Sequence, residues 1–545
     1  MRPEGFPWYF TYLTAVSIVP SAGFFHTAQP FINWRAFSFT FFLILLISLL
    51  LASCAPSAPA DLPTETFTEQ ETAASVPADI SPTPTLHTTA SATETLEPIH
   101  FVWVAPYLGK AFRDHLNFPK NVVLTEHMSA AEYFIEVGSE HISSWWVLSL
   151  VAPFPTIADD ISTEGLIGFW KGIRPGLFSN APLLLDENTY QLLSLLWGKP
   201  AEGRAEILPA EDLLGAAWEE QPSWAIVPFE TLEPRWKVLS IDGVTPFDPS
   251  FDLHAYPLSI PISIDPEPDA LVPPEELGIR LRTSNFDPSQ MTQVALTGVT
   301  ALVRGTAIFM DAKGILYPAE DTGAFLRRAD ITHISNEIPF FSQCPSPEMY
   351  PNEIRFCSDP AYDALLEEVG ADVIELTGDH FGDYGFEAMQ ETLRLYQAKG
   401  MPYYGGGANA AEARQAVTFE HHGNRIAFIG CNAKGIDYYA SATDTSPGAV
   451  ACDLDWMSAE VARLKAEGYL VIATFQHIEY DAYDPDPLLK QDLQRIARAG
   501  AAIVSGSQAH QPQEIEFFAG GFIHYGLGNL FFDQYHMGLP TGQGF

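Results

Sequence analysis

Short polar runs in the second half of the chain carry side chains that bind cations or move protons. They are Ser335-Asn336-Glu337, Thr377-Gly378-Asp379-His380, Gln476-His477-Ile478-Glu479, Gln508-Ala509-His510 with Gln513 beyond it, and Asn529 with Asp533. Glu337, Asp379, His380, His477 and His510 are carboxylates and imidazoles, donor types that hold one divalent ion and leave a position for water. An ion so held acts as a Lewis acid or lowers the pKa of a bound water. His380 and His510 also suit general acid–base work. Arg304 suits an anionic substrate or an Asp/Glu partner equally. Glu479, Gln508 and Gln513 read as substrate contacts. Each residue keeps a structural alternative: Asp379-His380 as a capping pair, Glu337 as a turn residue beside Pro339. His477 and Glu479 alternate on one extended segment and so should share a face. Asp383, before Tyr384-Gly385, reads as a turn and helix cap, and Asn529 and Asp533 as supports of the last loop.

These runs need a scaffold that brings distant loops together. The pattern predicts strands over Val294–Thr297, Ile331–Ile334, Asp372–Leu376, Arg425–Ile429, Tyr469–Thr474 and Ala501–Val504. Helices are predicted over 358–369, with Ser358 as cap, and over Phe386–Lys399, Met457–Ala466 and Leu488–Ala499, with Gly370, Gly400, Gly468 and Gly500 as stops. Ile515–Phe518 and Phe522–Tyr525 read as a hairpin over Gly520-Gly521. Alternating strands and helices predict a partly parallel sheet, with its site at the carboxyl ends of the strands. The polar runs fall at those ends.

In this order the blocks resemble the CapA family, named for capsule and poly-gamma-glutamate synthesis, whose fold is similar to the calcineurin-like metallophosphoesterases. The family pattern is a Gly-Asp turn with a downstream Arg, Asn-x-Glu, Asn-Asn-His with Asp-x-Gly, His-Trp-Gly-x-Glu-Tyr, Gly-His-x-His with a nearby Gln, and Gly-Asn-Phe-x-Phe-Asp. Arg304, Asp383, Gly385, Glu479, Tyr480, Gln513, Asn529 and Asp533 match it. The departures are Val299 for the first Asp, Gly378-Asp379 for Asn-Asn, Phe475 for a His, and Gln508 for the first His of the last pair. Val299 cannot bind a cation and Gln508 offers only a neutral oxygen. The resemblance therefore implies one divalent ion rather than a two-metal site.

Upstream, the apolar run Phe41 to Leu51 follows Arg35 and ends in Leu51-Ala52-Ser53-Cys54. That layout looks like a lipoprotein signal with Cys54 as the lipidated residue. The alternative is a transmembrane anchor, for which the run is near the minimum length. Either one exports the remainder of the chain. No signal feature precedes Arg35, so the start is expected downstream of Met1, and members of the resembled family continue past the final Asp, so the chain is expected to extend beyond Phe545. Residues 1–54 are thus read as signal, 55–97 as a Pro/Ser/Thr-rich linker without enough apolar side chains to fold, 98–285 as an α/β domain, and 290–545 as the CapA-like domain. The fold class expected is α/β throughout, the second domain a metallophosphoesterase-type sandwich. The first domain faintly resembles a lobe of the type II periplasmic solute-binding proteins, on run order and Trp170-Lys171-Gly172, and a ligand-free spacer is the alternative. The Pro-rich stretch Pro261 to Pro274 reads as a linker.

Net charge is −40, which argues against a nucleic-acid partner, since no basic stripe offsets the phosphate repulsion, and disfavours a polyanion unless a metal ion screens the encounter. Besides Cys54 there are four cysteines, Cys344, Cys357, Cys431 and Cys452. Export permits disulfides. Cys344 pairs most simply with Cys357, worth about 3 kcal/mol for a loop of that size, which leaves Cys431 with Cys452. The expectation is a lipid-anchored protein on the extracytoplasmic face that acts on an anionic surface polymer or its precursor, by metal-assisted hydrolysis or transfer. The rival is a surface binding protein whose phosphoesterase-like fold has lost catalysis.

Overall fold

Leu183-Leu184-Leu185 and Trp224-Ala225-Ile226-Val227 lack polar alternation, the signature of a strand covered on both faces. Both are buried inside a nine-stranded mixed sheet in the computed structural model, which describes residues 98–178, 181–248, 250–434, 440–479, 482–534 and 538–542. Residues 98–545 cluster as one compact unit. The sheet runs Val122–Leu124, His100–Val104, Tyr133–Val137, Ser259–Pro266, Ile142–Pro153, Trp224–Pro228, Leu183–Leu185, Ala205–Ile207, with Trp236–Val238 also on Ile142–Pro153. The stretch expected as a linker thus begins as an interior strand. Ile260, Ile262 and Ile264 are 1%, 0% and 3% exposed, and their burial outweighs the donor lost at Pro261. The register shifts directly after Ile262, the kind of irregularity beside which a sheet tolerates Pro. Cys54, the run before it and the tract to Glu97 lie outside the described residues.

The second half is a four-layer sandwich. One six-stranded sheet, all parallel, runs Tyr403–Tyr404, Ala371–Glu375, Ile331–Asn336, Val299–Thr300, Asn529–Phe531, with Val294–Ala295 on Ile331–Asn336. The other runs Val417–His421, Asn424–Asn432, Leu470–Gln476, Ile503–Ser505, Gly521–His524, Ile515–Phe518, parallel inside and antiparallel at both edges. Val373, Tyr404, Phe428 and Ile472 pack between the sheets. Helices Arg304–Lys313 and Gly385–Lys399 cover one outer face, and Leu454–Ala466 and Pro487–Ala499 the other. The last shows how sequence sets an element. Asp486 caps it through the Leu488 N–H, Pro487 takes the first turn where no N–H is needed, and Gly500 ends it at φ 112°. Its Leu489, Leu493, Ile496 and Ala497 are buried, one stripe at helical spacing.

Differences from expectation are local. Asp359, not Ser358, caps the helical segment after residue 358, while the Ser358 hydroxyl donates to Leu302 O at 3.0 Å. The hairpin turns on Ala519-Gly520, at φ 52° and 83°, the pair of positive values a two-residue turn of this hand needs. Cys344–Cys357 and Cys431–Cys452 are both disulfide-bonded. An aromatic seam joins the halves: Phe154 meets Phe517 and Phe522, and Trp218 meets Phe517, with centroids 5.5, 5.3 and 6.0 Å apart.

Candidate functional site

Glu337 follows the Ile331–Asn336 strand, and its N–H donates to Thr300 O at 3.0 Å. Gly378 brings the next loop against it: a Cβ there would lie 2.4 Å from Glu337 O, so no other residue permits this approach. The turn Asp379–Gly382 then delivers Asp379 and His380. His510 comes from the loop after Ile503–Ser505, and Glu479 from the loop after Leu470–Gln476. Ligand atoms of Glu337, Asp379 and His380 lie within 4.8 Å of one another, and so do those of Glu337, Glu479 and His510. Glu337 belongs to both groups. It is 1% exposed, and neither carboxylate oxygen has a hydrogen-bond partner. Asp379 Oδ1 is likewise buried without one. Buried polar atoms are almost always satisfied, and a carboxylate aimed at two imidazoles and two further carboxylates is what a divalent cation satisfies. The residues present fit such an ion.

The electrostatics agree. Burial pushes the Glu337 carboxyl up to about 7, against the pull of His510 and His380 and with the push of Asp379 and Glu479. Burial opposes a charge on His380, yet the Asp383 hydrogen bond and the Glu337 and Asp379 charges raise it to about 9. Asp383 Oδ2 holds His380 Nδ1 at 2.7 Å, and Asn529 Oδ1 holds His510 Nδ1 at 2.9 Å. Both contacts leave Nε2 as the ring nitrogen for an ion, the orienting arrangement common around metal-bound histidines. Phe356 and Phe532 wall the two rings at 5.0 and 5.3 Å.

Sequence reasoning missed a cation inside the cluster. Lys434 Nζ donates to Asp379 Oδ2 at 2.6 Å and to Glu479 Oε1 at 2.9 Å. It stands just past the Asn424–Asn432 strand, and its N–H is held by Asn432 Oδ1 at 2.9 Å. Despite burial, the Glu479 and Asp379 charges raise its pKa beyond the ordinary range for lysine. The usable signal was positional, because this too is a strand's carboxyl end in a parallel pair.

Other expected residues take different places. His477 does not join the cluster: its Nε2 lies 3.3 Å from Asp492 Oδ2 on the Pro487–Ala499 helix. The strand ends at Gln476, so the alternation that would align His477 with Glu479 does not continue. Gln508 is fully buried and donates to Ser335 Oγ at 2.5 Å, a strut between sheets rather than a substrate contact. Gln513 is 4% exposed, donates to Ala482 O at 3.0 Å and lines a small pocket with His477 and Glu479. Arg304 begins its helix at φ 52°, with its guanidinium carbon 5.7 Å from the Phe532 ring centre. Burial raises the neighbouring Asp533, against the pull of the Thr306 N–H and of Arg304. Val299 sits in an apolar cluster with Phe356 and Phe532, so the position is hydrocarbon where the resembled family has Asp. Tyr480 lies outside the described residues.

Beneath the site a polar layer links its loops. Glu375 Oε1 accepts from Thr377 Oγ1 at 2.5 Å and Ser507 Oγ at 2.8 Å, and Oε2 lies 3.2 Å from His333 Nε2. Burial works against the Glu375 charge, but His333, Thr377 and Ser507 hold its pKa below the usual value.

Residues 293–534 match the family described as bacterial capsule synthesis protein PGA_cap. The capsule biosynthesis protein CapA of Bacillus anthracis is 28% identical over 174 residues, 31% of this chain and 42% of that protein. The PGA biosynthesis protein CapA of Bacillus subtilis is 27% identical over 172 residues, 31% of this chain and 45% of that protein. The chain thus spans less than half the length of these two relatives. A phosphate transport receptor from Vibrio cholerae aligns with 33% of this chain and 90% of its own, at 12% identity and a TM-score of 0.26, a likeness too distant to bear on fold or ligand.

Proposed function

Residues 293–534 are a divergent PGA_cap domain, and from that premise we propose that the chain serves capsule or poly-gamma-glutamate synthesis or release at the outer face of the cell membrane, held there by lipid on Cys54. The reaction is hydrolysis or transfer at an amide or phosphoester of an anionic polymer or its precursor. The observation that carries this is Glu337, buried with both oxygens unpartnered among Asp379, His380, Glu479 and His510. Glu337 with Asp379 and His380, or Glu337 with Glu479 and His510, would hold one divalent ion, which would supply Lewis-acid polarisation or an acidified water. The chain's own part is positional. Asp383 and Asn529 fix the two imidazoles at Nδ1, so that each Nε2 is left for the ion, and Phe356 and Phe532 wall the two rings.

A second reading is a binding protein without turnover. Val299 in its apolar cluster and the Lys434 ion pairs favour it. Metal content separates the two. The purified protein is expected to retain a divalent ion, and His380→Ala with His510→Ala to abolish retention. Elemental analysis that finds no metal after mild purification, and none after incubation with Mn2+ or Zn2+, would leave the binding reading standing.

A further inference from the structure

Cation binding in this pocket is a matter of charge balance, and part of the balance is supplied by the chain. Glu337, Asp379 and Glu479 converge with His380 and His510. If ionised, the three carboxylates carry three negative charges. Lys434 cancels one, and a single divalent ion cancels the two that remain. The Lys434 ammonium is not a surface charge that drifted near. Its side chain is 13% exposed, and it bridges two carboxylates from different loops at 2.6 and 2.9 Å. Each of those carboxylates also turns toward the ion-binding groups: Asp379 keeps a buried, unpartnered Oδ1, and Glu479 Oε2 lies 3.4 Å from His510 Nε2. Gln476, which donates to Glu479 Oε1 at 2.6 Å, has a buried Oε1 with no partner. The position Lys434 fills is therefore set between one oxygen of each of two carboxylates, donors that would suit a cation.

We infer that Lys434 is a built-in substitute for a second metal ion, so that the pocket takes one divalent cation and its removal opens a second site. An ammonium at hydrogen-bond distance of two carboxylates satisfies them much as a divalent ion would, with one charge less and no exchangeable water. The lysine thereby fixes the site as mononuclear. This rests on the single-ion reading proposed above, and the test is chosen to tell the two apart.

Full-length protein in detergent is stripped with chelator and equilibrated with Mn2+, and bound metal per chain is measured by elemental analysis. The electron paramagnetic resonance spectrum separates isolated from coupled ions. Wild type is expected to bind one ion, Lys434→Met two coupled ions, and Lys434→Arg one. Two ions in wild type overturn the inference, whatever the variants do. So does one ion in both wild type and a Lys434→Met protein whose circular dichroism and melting temperature match wild type; if that variant does not fold, Lys434→Gln takes its place under the same criterion. No ion in wild type but one in Lys434→Met sinks the proposed metal chemistry and keeps the substitution. No ion in either sinks both.

Discussion

Asp383 and Asn529 act on the site without entering it. Each holds the Nδ1 of a histidine whose Nε2 is left for an ion. Asp383 also accepts the Phe356 N–H at 2.7 Å, which ties the disulfide loop to the His380 turn. Asp383→Asn keeps size and acceptor but removes the charge. The His380 titration midpoint is then expected to fall below its value of about 9, because a charge that favours imidazolium is gone. Mn2+ affinity should weaken by roughly 10- to 100-fold, as for other partners that orient metal-bound histidines. Histidine NMR titration of the metal-free protein is the check, and a midpoint that does not move would reduce Asp383 to a loop support. As a sequence feature, Asp383 before Tyr384-Gly385 reads as a turn and helix cap, whereas the helix that follows has Tyr384 at its cap position. The partner of Asp383 is three residues away, and nothing in composition says that the ring turns back. Glu337, Asp379, His380 and His510 were legible because their types are costly to bury without a purpose. Lys434 was not, because an isolated Lys in a loop is ordinarily a solvated charge, and its two partners lie 55 and 45 residues away.

Strands and helices of the sandwich were legible from period and stops, and most boundaries fall within two residues of expectation. What period could not convey is the polar layer between the sheets. His333 and Glu375 alternate with Ile334 and Ile374 like the solvent face of an exposed strand, yet both are 0% exposed. They face a second sheet whose existence only the tertiary fold reveals. His524 lies in the same buried layer, with Nδ1 3.2 Å from Ser505 Oγ. Burial, aided by the charge of His333, pushes His524 down to about 4, against about 6.5 in the unfolded chain. The unfolded state therefore binds the proton first as pH falls. The contribution is fully present above about pH 6.5 and is lost toward pH 4, on the order of 2 kcal/mol between pH 7 and pH 5. Urea midpoints should drop over that interval in wild type and drop less in His524→Gln. Parallel curves for the two proteins would mean that other groups carry the acid sensitivity.

At the scale of the whole molecule, charge and attachment oppose each other. A chain with net charge −40 is repelled by the anionic lipids and polymers of a bacterial surface, so nothing in its overall field would keep it there. No helix among the described residues is long and apolar enough to cross a membrane. The aromatic seam of Phe154, Phe517, Phe522 and Trp218 binds the amino-terminal sheet to the sandwich, so whatever holds residues 98–545 holds both parts. The proposed tether is lipid on Cys54, at the end of Leu51-Ala52-Ser53. One acyl chain gives only marginal membrane binding, and two or more are needed for stable attachment. Cells fed a labelled fatty acid should incorporate it into wild type and not into Cys54→Ser, with wild type in the membrane fraction after a high-salt wash. If Cys54→Ser is unlabelled but stays in the membrane as firmly as wild type, the run before it acts as a spanning anchor. If wild type takes up no label, the lipid is excluded. Both outcomes leave the Glu337 site untouched, because its argument uses no residue before His100.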